Sequence, residues 1–235
     1  GTERLAFRPY EIVERGDLQG GVVGIASNIV DKVMPPRFSE GLEFTLGRDE
    51  LPYWIEMLRD EERVDLVVVI SHLGFPQECQ LAADVDGIDV LLSAHTHNRL
   101  ERPFIVNDTI IIQSGCHGSF IGRLDLEVDG GVRKFKHELV RVRGPSNEDV
   151  EEMVMRAAEV DRDYLEATVG STRTHLNRYT ILESTMDNLL LRAIMDADDS
   201  ELAFSNGWRY GAPVPPGDIR VEDLWNMIPV NPPVS

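Results

Sequence analysis

Apolar residues gather in two unbroken runs along this chain, and each run stops at histidine. Residues 64–71 read Val-Asp-Leu-Val-Val-Val-Ile-Ser and end against His72. Residues 88–94 read Ile-Asp-Val-Leu-Leu-Ser-Ala and end against His95-Thr96-His97-Asn98. β-Branched runs of strand length without polar alternation suit parallel strands buried on both faces. Residues 77–85, between them, read as a short helix, so the unit is strand, helix, strand. Ligands in such sheets collect beyond the carboxyl ends of the strands, where His72 and the pair His95/His97 fall.

The flanking pattern extends the sheet. Residues 5–13 and 21–29 read as strands joined through the Gly-rich stretch 15–20, with Leu18-Gln19-Gly20-Gly21 as the hairpin turn. Residues 33–43, with Pro35-Pro36, read as a surface loop. Residues 49–63 predict an amphipathic helix, Leu51, Trp54, Ile55 and Leu58 on one face and Glu56, Asp60 and Glu61 on the other. Residues 109–113, 122–128 and 132–142 read as strands, the last two turning at Asp129-Gly130-Gly131. Gly144-Pro145 breaks this pattern. Ser146-Asn147-Glu148-Asp149 then offers a helix cap with acids in the first turn, and the helix is expected to reach Ala167 with a solvated acidic face. Beyond it, residues 185–197 predict a helix with Leu189, Leu190, Ile194 and Met195 inward, residues 202–205 a short strand, and residues 221–228 a short helix. The expected division is 1–143, an interdomain helix at 144–168, and a smaller domain at 169–235.

Charge narrows the partners. The chain is 42% hydrophobic, enough for a core, and carries a formal charge of −18 with a pI near 4.6. That balance argues against nucleic-acid backbones and anionic membranes as partners. An anionic substrate would therefore need metals or local arginines to reverse the sign at its site. No apolar run is long enough to span a bilayer. The two cysteines, Cys79 and Cys116, make no disulfide framework and are read as free thiols.

The candidate chemistry is imidazole. A lone histidine near a strand end is more often a surface or core residue than a ligand. Here three of the chain's six histidines are placed at one sheet edge by two adjacent strands, and neutral imidazole is the commonest metal ligand. His117, in Ser114-Gly115-Cys116-His117-Gly118, reads either as a group near that edge or as an ordinary loop histidine. Cys116 has no second cysteine at ligand spacing. His137, beside Lys136 and Glu138, reads as solvated, and His175 is uninformative.

Ser71-His72-Leu73-Gly74, the run from Gly87 through His97, and Gly122-Arg123-Leu124-Asp125-Leu126 together resemble the calcineurin-like metallophosphoesterases of the 5'-nucleotidase family. The resemblance implies an α/β fold: the second half of a metallophosphoesterase β-sandwich flanked by helices, plus part of a smaller α/β C-terminal domain. It implies two divalent metal ions, zinc, manganese or similar, with His72 and His95 on one and His97 on the other. Ala94 stands where the family usually has glycine, which implies some backbone strain there. Asn206-Gly207-Trp208-Arg209 partly matches a family turn whose arginine grips the substrate, making Asn206, Gly207 and Arg209 the candidate substrate contacts. Trp208 is read either as a stacking platform or as a domain-interface plug.

The family's Asp-x-His, bridging Gly-Asp and Gly-Asn-His-Glu elements do not occur in residues 1–71. The expectation is a chain trimmed at both ends, holding half a two-metal site, the ions only partly ligated, and inactive by itself. The implied substrate is a nucleotide or other phosphoester, and the implied compartment periplasmic or extracellular. The runner-up activity is a thiosulfohydrolase of sulfur oxidation. The alternative outside enzymes is a non-catalytic fragment or subunit that pairs with a missing N-terminal half.

Overall fold

Strand register explains why the apolar runs are unbroken. In the computed structural model, which describes residues 7–180, 182–205 and 211–229, the first unit (Gly1–Arg143) is built on a six-stranded sheet. Its strands are β1 (Tyr10–Arg15), β2 (Leu18–Ile25), β3 (Leu66–Ser71), β4 (Val90–Leu92), β5 (Phe104–Val106) and β6 (Thr109–Ile112), in the order β1-β2-β3-β4-β6-β5. The four central strands are parallel, while β1 and β5 are antiparallel edges. Val23, Val69, Leu91 and Ile111 stand in one row across the sheet and are all buried. They face the main core. The next row, Val22, Val68, Val90 and Ile110, faces the other way. Both faces therefore need aliphatic side chains, each contributing roughly 1.5–3 kcal/mol when fully buried.

Among the described residues, three short α-helices and a 3-10 turn at Pro36–Phe38 punctuate this unit: α1 (Val30–Val33), α2 (Leu51–Glu56), which continues into a π-helical turn at Met57–Glu61, and α3 (Phe75–Asp84). Leu51, Ile55 and Leu58 lie on one face at helical spacing and pack with the main row, as do Leu81 and Ala82 of α3. Trp54 is only half-buried and rests on Tyr10, ring centres 5.9 Å apart. The Arg59 guanidinium pairs with Asp89, whose carboxylate also accepts the Val67 N–H at 2.6 Å. That ties the helix end to two strands.

The first hairpin corrects the sequence reading. Its turn is Gly16-Asp17, and Leu18-Gln19-Gly20-Gly21 belongs to β2. The glycine serves close approach instead: a Cβ on Gly21 would stand 2.7 Å from Leu58 Cδ2, so a side chain there would displace the buried Leu58. β5 is an addition to the expected strands. Its Phe104-Ile105-Val106 is short and pairs with β6 across the Asn107-Asp108 turn, where both residues have positive φ.

The second face is closed by a hairpin of β7 (Phe120–Val128) and β8 (Val132–Arg141). Leu124, Leu126 and Val132 pack on Val90, Ile110 and Ile112. His137 shares this inward alternation, so it is not solvated as expected: both ring nitrogens are buried without a hydrogen-bond partner.

The second unit (Gly144–Ser235) holds α4 (Glu148–Ala158), α5 (Arg162–Leu165), β9 (Thr168–Thr172), α6 (Thr185–Asp198), β10 (Gly217–Arg220) and α7 (Val221–Met227). The long acidic helix is in fact two pieces. Asn147 caps α4 by accepting the Val150 N–H at 3.1 Å, but no residue of α4 is buried, and the chain turns at residues 159–161 before α5. Without a packed face, little holds a longer helix together. β9 and β10 form an antiparallel pair, and the core is Leu176, Met186, Val214, Ile219 and Met227.

Two further expectations fail in this unit, the first of them in part. Ser184 caps α6, and its inward residues are Met186, Asp187 and Leu190, while Leu189 turns to solvent. Residues 202–205 form no strand: Leu202 and Phe204 are exposed, and neither β9 nor β10 pairs with them. A strand needs a neighbour to satisfy its backbone.

Candidate active site

Each histidine is delivered by the end of a different strand or loop. His72 follows β3, and its N–H donates to the Ile25 carbonyl at 3.0 Å. His95 and His97 follow β4, and His117 lies in the loop after β6. The His72 and His95 ring centres are 5.0 Å apart, with planes at 63°. Those of His97 and His117 are 6.1 Å apart at 78°. Four imidazoles thus share the carboxyl edge of the parallel strands, as two pairs. His72 and His117 are exposed, His95 and His97 half-buried.

Backbone strain collects at the same edge. His95 (φ +69°), His97 (φ +54°) and His117 (φ +58°) are all left-handed. Such φ values are uncommon outside glycine and cost free energy that the surroundings must supply. Ala94 is not among the positive-φ residues, so the strain expected at that position falls on the histidines beside it.

Two buried polar side chains hold the strained loop, and the sequence pattern marks neither as a site residue. Glu78, fully buried on α3, accepts the Gly74 N–H at 3.2 Å, a longer contact from the Ala94 N–H at 3.5 Å, and the Ser93 hydroxyl. One carboxylate therefore ties the His72 loop to the His95 loop. Gln113, at the end of β6, donates from Nε2 to the Ala94 carbonyl at 2.8 Å and accepts the Asn98 N–H at Oε1 at 2.9 Å. The amide clasps His95-Thr96-His97 from both sides. Thr96 Oγ1 accepts the Phe75 N–H at 3.0 Å, and a Cβ on Gly74 would meet Thr96 Cγ2 at 3.0 Å. Only glycine, here at φ +100°, lets the two loops touch without displacement. A signal for Glu78 does exist: it sits at the head of the stripe Glu78, Leu81, Ala82, Val85, an acid on an apolar helix face.

Burial and like charge favour the neutral form of His97. The His97 pKa is lowered, first by burial and then by repulsion from His117, His95 and His72 in their charged forms. A neutral imidazole is the form that binds metal. Burial pushes the Cys116 thiol upward, away from the thiolate that a metal would need.

The donor set suits a divalent ion. Zn–N bonds of about 2.0–2.1 Å at neighbouring tetrahedral positions put two imidazole centres about 5 Å apart, as His72 and His95 stand. Among the described residues, however, no group of three or more His, Cys, Asp or Glu side chains is arranged to hold one ion. The imidazoles come as pairs. Asn206, Gly207 and Arg209, with Trp208, lie outside the described residues.

The parallel sheet, its capping hairpin and the histidine loops define a mixed α/β class with imidazoles gathered at one sheet edge. No family model matches the chain. Relatives do. The trifunctional nucleotide phosphoesterase YfkN of Bacillus subtilis is 26% identical over 246 residues, which cover 97% of this chain. Among solved structures, the sulfate thiohydrolase SoxB of Thermus thermophilus matches with a TM-score of 0.89 at 30% identity, over 94% of this chain. The 5'-nucleotidase precursor of Thermus thermophilus matches with a TM-score of 0.83 at 20% identity over the same share, a likeness of fold. Protein UshA of Escherichia coli and the 5'-nucleotidase of Vibrio cholerae also align, at 22% and 23% identity over 97% and 55% of this chain. The chain is thus similar to nucleotide phosphoesterases, 5'-nucleotidases and a sulfate thiohydrolase. It spans 17% of YfkN, 51% of UshA from Escherichia coli, and 42% and 49% of the two solved chains.

Proposed function

We propose that this chain supplies the histidine half of a two-metal hydrolase that cleaves phosphoric esters of nucleotides. The observation that carries the reading is the placing of His72 and His95 with ring centres 5.0 Å apart at the carboxyl edge of the parallel strands. His72 and His95 would hold one divalent ion, zinc, manganese or similar, and His97 the other. When bound, such a pair supplies Lewis acidity and a water of lowered pKa. The protein's own work is positional. Glu78 and Gln113 fix the strained loop that carries His95 and His97, and burial favours the neutral form of His97. Asn206, Gly207 and Arg209 are proposed as substrate contacts, the arginine fork suiting an oxyanion. Imidazoles alone make an incomplete ligand set for two ions, so the chain by itself is expected to turn over nothing and to require the rest of the site, in the same chain or a partner. A periplasmic or extracellular setting fits this reading, and no described helix is long and apolar enough to cross a membrane.

A second reading is favoured by one observation, the higher identity and TM-score of the sulfate thiohydrolase over the 5'-nucleotidase precursor. It keeps the metals and changes the bond: sulfate is hydrolysed from a sulfur-linked carrier. The deciding experiment loads the whole gene product with metal and follows phosphate release from AMP beside sulfate release from a thiosulfonate carrier. Phosphate release abolished by His95→Ala supports the first reading. Sulfate release alone moves the assignment to the second, and neither product removes both.

A further inference from the structure

His117 belongs to a loop whose geometry singles it out. Gly115 (φ +78°) and Gly118 (φ +64°) flank it, and all three residues are left-handed. The Ser119 N–H closes the turn on the Cys116 carbonyl at 3.1 Å, and the Gly115 N–H donates to the Asn98 carbonyl at 3.0 Å. The second bond fastens this turn to the residue after His97. The His117 side chain is exposed, so an ion can reach it from solvent. Its ring faces that of His97 nearly at right angles, at 6.1 Å, and so repeats with a wider gap the relation of His72 to His95.

We propose that His97 and His117 form a second imidazole pair that takes a divalent cation of the zinc or cobalt type, distinct from the ion held by His72 and His95. The inference rests on reading His97 as a metal ligand and adds His117 as its companion. Neighbouring ligands of one tetrahedral ion place imidazole centres about 5 Å apart, so the pair must close by about 1 Å. An exposed side chain can supply that by rotamer adjustment. Cys116 stays out, because partial burial pushes its thiol away from ionisation. Each strand-end loop then contributes to an ion, and the left-handed backbone at His117 has the same cause as that at His95 and His97: it turns a ring toward a shared edge.

The test uses the whole chain, free of any affinity tag, stripped with chelator and titrated with Co²⁺ near neutral pH by calorimetry. Visible absorption and histidine-ring NMR are read in parallel. The key variant is His117→Asn, because asparagine adopts left-handed φ readily and any loss reports the ring and not the backbone. The wild-type chain is expected to bind two ions. His117→Asn should weaken one by at least about tenfold and leave the other unchanged, while His72→Ala does the converse. Ring signals of His97 and His117 should broaden together on substoichiometric Co²⁺. Two ions of unaltered affinity in His117→Asn overturn the pairing. A single wild-type ion, lost in His72→Ala and indifferent to His117→Asn, also overturns it but leaves the proposed function standing. No uptake by the wild-type chain overturns both.

Discussion

Among the described residues each of the two units buries one carboxylate, and the two are satisfied in opposite ways. Glu78 in the first unit is surrounded by neutral donors, two backbone N–H groups and one hydroxyl, all from the loops that carry histidine. Asp187 in the second unit is gripped by a cation. Arg178 donates to it at 2.7 Å and 2.9 Å, Ser184 at 2.5 Å and Ser205 at 3.3 Å. The first arrangement uses a buried carboxyl group to align loops at a sheet edge. The second holds together a small core of five buried hydrophobic side chains. A buried acid near a candidate site and a buried acid in a scaffold are thus told apart by what surrounds them.

The largest expected effect lies in the scaffold pair. Arg178→Met leaves Asp187 buried without its cation, which costs roughly 3–5 kcal/mol, and a core this small has little reserve. The second unit should unfold first in urea while the first keeps its transition, a split that segment-resolved hydrogen exchange reads directly. A single shared transition would break the contrast. Acid should reproduce the split. Burial alone would raise the Asp187 pKa, but the bonds from Ser184 and Arg178, the Arg178 charge and the bond from Ser205 hold it below its ordinary value. Its stabilisation is therefore complete above the unfolded carboxyl value of about 4 and is lost as pH falls through the lower folded value. The second unit should loosen in that window, and Asp187→Asn should remove the pH dependence.

The sheet is readable in the sequence because its physics is local. Aliphatic runs such as 66–71 and 90–92 have no alternation to mistake, and the histidines after them need only a strand end to be placed. What escapes depends on contacts distant in sequence. Gly20 and Gly21 look like a turn because nothing nearby in sequence reveals that Leu58 presses on Gly21. Residues 202–205 have strand composition but no neighbour, and Leu189 and Met186 differ by a rotation of α6 that the helix period alone leaves open. Glu78 and Gln113 escape for the same reason: an acid in a helix and an amide after a strand are usually solvated, and only the fold brings them under the histidine loop.

Glu78→Gln comes next in size. The change keeps the volume but turns one acceptor oxygen into a donor facing N–H and O–H groups, at a cost of about 1–3 kcal/mol. Its sharper consequence is at the site, where supporting groups of this kind are worth about 10–100-fold in metal affinity. Gln113→Leu should act in the same direction, since it strands the Ala94 carbonyl and the Asn98 N–H. Both are checked by Co²⁺ titration beside urea unfolding. Equal losses of stability with unchanged affinity would make Glu78 and Gln113 scaffold residues like Asp187, and the distinction between the units would fail.

The smallest effect tests the comparison from its far side, with a buried polar group that has no hydrogen-bond partner. His137 sits inside the β7–β8 hairpin opposite Leu124, both ring nitrogens buried and unsatisfied. Burying such a group costs free energy that nothing offsets, whereas an apolar residue of similar shape avoids the penalty. His137→Leu should therefore leave stability unchanged or raise it by up to about 1 kcal/mol, with metal uptake unaltered, because neither ring nitrogen bonds to the histidine loops. Urea midpoints at constant slope measure it. A loss above about 1 kcal/mol would mean that the imidazole is satisfied in solution by bound water, and that burial alone cannot separate idle polar groups from those that hold a site.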